Sequence, residues 1–163
     1  MRRRLPLAIL ASLALAIVIV PGASTSPSAI RSSDDNEVEV IRVTAITVQE
    51  NGLDLGEPGD SLGDQFIFSD DLFRGGEKVG TAGGVGTLVR LEPMVAATIQ
   101  FVATARLPKG QITLQGLVRF TDGPSTFKLA ITGGTGRYRD ASGVLIAGEV
   151  SETETQLTFR VIR

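Results

Sequence analysis

Apolar and polar residues alternate with a period of two along most of the chain, and helical periodicity is hard to find. The segments 37–49, 64–73, 79–92, 94–107, 111–121, 126–132, 142–150 and 155–162 each read as a strand, separated by short stretches rich in Gly, Asp, Asn and Pro. In 94–107, Val95, Ala97, Ile99, Phe101 and Ala103 share one side. In 111–121, Ile112, Leu114, Gly116, Val118 and Phe120 share one side, while Gln111, Thr113, Gln115 and Arg119 take much of the other. The segment 79–92 is unusually rich in glycine, which weakens a strand and predicts strong bending or a close backbone approach. The Asn51–Gly63 stretch reads as a loop, and Arg74–Lys78 reads as a turn. Eight strands with short connections predict an all-β fold, an eight-stranded antiparallel barrel with no free edges and room for one small ligand. A β-sandwich is the alternative that the pattern leaves open. No internal repeat of fixed period is visible.

The first residues follow a different pattern. Arg2, Arg3 and Arg4 precede an apolar run from Leu5 to Val20, and Pro21, Gly22 and a series of small residues follow. This is the layout of a secretory signal, and the run is shorter than the roughly 20 residues that span a bilayer. An uncleaved N-terminal anchor is the alternative. The expected organisation is a signal peptide over 1–24, a flexible Ser-, Pro- and Asp-rich leader over 25–36, and one barrel domain over 37–163, giving a secreted protein.

Composition narrows the chemistry. Among 163 residues there is no histidine and no cysteine. That excludes a Ser-His-Asp triad, thiol nucleophiles, disulfides, and the usual zinc, haem and iron–sulfur ligand sets. No metal and no cofactor is expected. The chain has 16 basic and 18 acidic residues; without Arg2, Arg3 and Arg4 the remainder carries 13 and 18, a net charge of −5. An acidic surface repels phosphates, so nucleic acid is not an expected partner. Asp54, Glu57, Asp60 and Asp64 lie in one loop, but their spacing is not that of an EF-hand, and a solvated loop is the simpler reading.

Three places could carry chemistry. Asp70 and Asp71 are neighbours on a strand, so they point to opposite faces. Alternation with Phe66 and Phe68 places Asp70 inward, where an apolar lumen would raise its pKa and fit it for acid or base work. The bland alternative is an inward Asp anchored structurally. The stretch Gly133–Gly143, GGTGRYRDASG, lacks the spacing and the following helix of a phosphate loop, and reads as a tight turn with glycines at positive φ. Arg139 sits inside this turn and could pair with Asp70 or Asp71.

The blocks SLGDQFIFSDDLF, KVGTAGG, GQITLQG and TFKLAITGGTGRYRDASG, spanning residues 61–143, resemble in order and spacing the allene oxide cyclase and dirigent protein superfamily, over roughly residues 61–148. GGTGRYRDASG is similar to the dirigent GGTGxFRxARG signature, SDDLF to its Asp-Asp-x-Leu stretch, and SLGD and ITLQG to the cyclases. The resemblance implies a calycin-type eight-stranded antiparallel barrel that holds a reactive apolar substrate in its lumen. It also implies relatives that are often dimers or trimers, so a homo-oligomer is expected. Cyclases of this kind close an unstable fatty-acid epoxide; dirigent proteins steer radical or quinone-methide coupling.

By the resemblance, the cyclase's pocket asparagine falls on Asp70, its pocket cysteine on Gly86 and its pocket tyrosine on Val118. Its first-strand glutamate and asparagine fall on Ala45 and Thr47. Most of the cyclase's polar groups are thus replaced. Asp70, Asp71 and Arg139 match dirigent motif positions, while the dirigent His-Asp of the first strand is absent. The expected function is a secreted cyclase or isomerase that templates an apolar small molecule. Asp70 is the expected catalytic residue and Asp71 its support; Phe66, Phe68, Gly86, Val118, Phe120, Tyr138 and Arg139 are expected to line the pocket. The alternatives are a non-catalytic dirigent-like barrel, a hydrophobic-ligand carrier, or a structural protein whose lumen is packed shut.

Overall fold

A computed structural model describes residues 37–93, 95–121 and 126–163. The expected signal peptide and leader lie outside the described residues. The chain forms β1 (Val38–Leu53), β2 (Gln65–Arg74), β3 (Glu77–Glu92), β4 (Ala96–Leu107), β5 (Gly110–Phe120), β6 (Thr126–Gly134), β7 (Ser142–Glu149) and β8 (Glu154–Ile162). Each strand pairs antiparallel with its sequence neighbour, and β1 also pairs with β8, so the sheet closes into a barrel. All eight predicted strands are present, and the sandwich alternative is excluded by this closure.

The connections are short because neighbours in sequence are neighbours in the sheet. Gly75 and Gly76, at φ 58° and 84°, form the two-residue turn between β2 and β3. Positive φ at both positions is the geometry that matches the twist of a hairpin. β1 runs further than the pattern predicted. The register shifts between Thr47 and Gln49, after which pairing with β2 continues to Leu53 opposite Gln65. An extra residue at such a bulge moves the following side chains to the other face. The alternation therefore breaks at Val48, and the Asn51–Gly52 pair looks like a turn although it is strand.

The glycines of β3 answer the question they raised. A Cβ on Gly84 would meet the Val102 carbonyl oxygen at 2.6 Å and the Cβ of Ala103 at 2.7 Å. β3 and β4 approach too closely there for a side chain on Gly84.

Inside the barrel, one half is filled. Leu72, Ile112, Phe159 and Val161 are fully buried, with Ile41, Val43, Leu107 and Ile131 around them. The β6–β7 connection closes that end with a single 3-10 turn, Gly136–Tyr138, and Tyr138 is buried there. Gly133, Gly136 and Gly143 have positive φ, in agreement with the tight-turn reading. Around the same end Glu39 faces three cations, Lys109 at 3.7 Å, Arg137 at 3.6 Å and Arg163 at 3.1 Å. The opposite end carries the β1–β2 and β7–β8 loops.

Candidate functional site

From that opposite end a cavity of about 520 Å³ runs into the barrel. This lies within the roughly 300–1,000 Å³ of small-molecule sites, so the lumen is not packed shut. The wall follows from alternation. Every second residue of a strand faces inward, which brings Phe66, Phe68 and Asp70 of β2 to the cavity, with Ile99, Phe101 and Ala103 of β4. Phe120, Phe127 and Phe159 complete the aromatic lining, which takes six of the chain's seven phenylalanines. Five of them form a continuous cluster. Phe101 stacks on Phe127 at 5.5 Å and 15°, and meets the edge of Phe66 at 5.5 Å and 75°. Phe120 packs on Phe127 at 5.7 Å, and Phe68 lies 6.1 Å from Phe66. These separations are those of attractive aromatic pairs, so the wall is held in shape by its own contacts.

Asp70 is the one buried carboxyl side chain among the described residues, at 8% exposure. Thr47, opposite it on β1, donates its hydroxyl to Oδ1 at 3.0 Å. Burial pushes the Asp70 carboxyl above its ordinary value. The Thr47 hydrogen bond opposes this, and the charges of Glu50 and Asp71 add to it. The carboxyl is therefore oriented, partly desolvated and readier to hold a proton than an exposed aspartate. Such a group can give or take a proton within the lumen.

Asp71 points outward, as the strand requires. Its Oδ1 lies 2.6 Å from the Lys78 ammonium across the hairpin. The expected pairing of Arg139 with either aspartate does not occur. Arg139 sits on the closed end and reaches Asp140 at 3.4 Å, with both side chains at least 80% exposed. It borders a separate cleft of about 220 Å³ with Arg137 and Arg163. Tyr138 is also on that end, so neither residue reaches the lumen. The reason is topological: the β6–β7 connection is at the opposite end from the opening. Burial and the nearby Glu39 carboxylate raise the Tyr138 phenol pKa, as expected of a plug.

Gly86 and Val118 face inward without bordering the cavity. The ring of Phe66 covers Gly86, where a Cβ would collide with it. Val118 is buried within the wall beside Ile99. Phe66, Phe68, Asp70 and Phe120 do line the cavity.

Several lining residues were not singled out by the sequence. Thr47 continues the inward series Ile41, Val43, Ala45, so alternation could have found it. Glu50 is hidden by the bulge before it. Glu149 and Glu152 sit at the β7–β8 end of the opening, and Glu152 lies in a loop with no periodic signal.

The acidic β1–β2 loop is hydrogen-bonded to itself. Asp64 accepts from the backbone N–H groups of Leu55 at 2.8 Å and Ser61 at 2.7 Å. These bonds lower its pKa. Among the described residues no cluster of acidic side chains has the arrangement of a metal site.

Against known proteins, the family model for an allene oxide cyclase barrel like domain matches residues 43–162. No curated protein matches the chain. Among solved structures, a pyocyanin demethylase superposes with a TM-score of 0.69 at 28% identity, over 76% of this chain and 99% of its own. The Diels-Alderase AbmU from Streptomyces koyangensis superposes with a TM-score of 0.60 at 20% identity, over 76% of this chain and 63% of its own. AbnU, an exo-specific intermolecular Diels-Alderase, gives 0.65 at 14% identity, over 77% of this chain and 98% of its own.

Proposed function

The chain belongs to the allene oxide cyclase barrel-like family, and from that premise we propose that it is a secreted cyclase or isomerase whose lumen templates an apolar small molecule. The observation that carries the reading is the 520 Å³ cavity, walled by phenylalanines and holding one oriented, buried carboxyl, Asp70. The demethylase at 28% identity, named for chemistry on a small molecule, supports a reactive lumen. The Arg2–Arg4 and Leu5–Val20 layout supports secretion.

The geometry suits catalysis by shape. A rigid aromatic wall fixes a flexible substrate in one conformation, and holding reacting atoms in place can supply up to roughly 7–11 kcal/mol. Excluding water strengthens any charge interaction within the lumen. Asp70 is placed to donate a proton to the substrate or remove one, with Thr47 holding its orientation.

A second reading, a dirigent-like or carrier barrel, has one observation in its favour. Asp70 has no ionisable partner buried beside it among the described residues, so no acid–base pair is assembled.

The test is native mass spectrometry of protein recovered from its own source, followed by incubation of the released molecule and its precursors with purified protein. Conversion by the wild type, reduced at least about 100-fold in Asp70→Asn, is expected of a general acid or base. Unchanged turnover in a folded variant removes Asp70 from the chemistry. A bound molecule that is never converted points to the carrier.

A further inference from the structure

Among the described residues, every ionisable side chain that lines the cavity is acidic. Asp70 lies within it, and Glu50, Glu149 and Glu152 border its opening. They come from β2, β1, β7 and the β7–β8 loop; the lining residues of β3, β4, β5, β6 and β8 are uncharged. No Lys or Arg is among the described lining residues. The remaining lining is alanine, leucine, isoleucine, threonine and six phenylalanines, and the ring faces of phenylalanine carry negative charge density.

Both features act in the same direction on a ligand. Carboxylates in a cleft with low-dielectric walls attract a positive charge and repel a negative one. The faces of aromatic rings do likewise, most strongly where water is excluded. Asp70 adds a specific contact: Thr47 occupies Oδ1, and no described residue donates to Oδ2. Desolvating a carboxylate is unfavourable, and a cation placed beside its second oxygen relieves part of that cost.

We infer that the lumen selects an apolar organic cation, such as a bulky tertiary or quaternary ammonium, over neutral and anionic molecules of the same shape. This rests on the reading of the lumen as the ligand site. It also separates the protein from cyclases that act on fatty-acid epoxides, because the carboxylate of a fatty acid would enter an acidic opening.

The test uses three anthracene fluorophores of similar size: anthracenylmethyl trimethylammonium, anthracenylmethanol and anthracene carboxylate. Fluorescence titration near neutral pH and low salt gives three dissociation constants. The ammonium is expected to bind at least about tenfold tighter than the alcohol, and the carboxylate at least about tenfold weaker. Added salt should narrow the ammonium-to-alcohol ratio, since the glutamates at the opening are solvent-exposed. Asp70→Asn should narrow it by about tenfold. If circular dichroism shows that Asp70→Asn does not fold, Glu50→Gln at the exposed opening carries the same comparison.

Equal affinity for the ammonium and the alcohol overturns the charge selectivity while leaving the lumen as an apolar site. Tighter binding of the carboxylate also overturns it. If none of the three binds, the lumen reading fails and the selectivity fails with it.

Discussion

Asp70 and Asp71 differ in nothing but position, and position gives them opposite roles. A strand sends consecutive side chains to opposite faces. Asp71 therefore meets Lys78 outside the barrel, while Asp70 meets Thr47 and the phenylalanine wall. The pH dependence of stability should report this. Because burial raises the Asp70 pKa, the native state keeps a proton that the unfolded chain releases. Through that window stability falls as pH rises, starting near the ordinary carboxylate value and levelling off above the native one. Asp70→Asn removes this contribution. Its melting temperature relative to wild type should be higher at pH 7 than at about pH 4. A difference that stays constant across this range would show that Asp70 titrates like an exposed aspartate. Asp64 has the opposite sign. Its carboxylate is held by the Leu55 and Ser61 amides, so its contribution is present above the ordinary carboxylate value and lost as pH falls through its lowered one.

Among the elements, β3 shows most clearly how a strand can be read as a strand and still hide its purpose. Its glycines announced bending, and two of them face quite different neighbours. A Cβ on Gly84 would meet backbone, the Val102 carbonyl, which cannot move without breaking the β3–β4 pairing. A Cβ on Gly86 would meet the far end of the Phe66 ring, which can rotate. Gly84→Ala should therefore destabilise the fold by about 1–3 kcal/mol, as overpacking does. Gly86→Ala should leave more of that stability intact, turn Phe66 into the lumen and weaken ligand binding. Paired urea unfolding and fluorophore titrations separate the two. Equal stability losses with unchanged binding in Gly86→Ala would mean that Phe66 does not guard the cavity. The bulge in β1 is the reverse case. One extra residue near Val48 redirects Glu50 to the opening, and no periodic pattern announces an insertion that breaks the pattern.

At the scale of the whole molecule, closure is what makes a lumen. The pairing of β1 with β8 joins residues at the two ends of the domain, Val38 with Ile162 and Ile46 with Glu154. The core behind the cavity depends on that seam, since Phe159 of β8 is fully buried and also forms part of the cavity wall. Phe159→Ala should cost about 3–5 kcal/mol, a large share of the roughly 5–15 kcal/mol that holds a domain together. Urea unfolding followed by far-ultraviolet dichroism should show a lower midpoint. A change of less than about 1 kcal/mol would mean that the site collapses around the missing ring.

The sequence by itself determined the eight strands, the inward face of nearly every one, and the inward turn of Asp70, because alternation is a local property of extended backbone. It also determined which chemistry is absent, since no fold can supply a histidine or a cysteine that the chain lacks. The tertiary structure alone decided which inward residues meet open space. Gly86 and Val118 face the same interior as Phe68, yet Phe66 covers the first and the wall buries the second. Tyr138 and Arg139 share a motif that reads as part of a site, and the topology puts them at the closed end. Glu50, Glu149 and Glu152 come together at the opening from β1, β7 and the β7–β8 loop. Their meeting depends on how a curved sheet closes on itself, a relation between distant segments that no local pattern encodes.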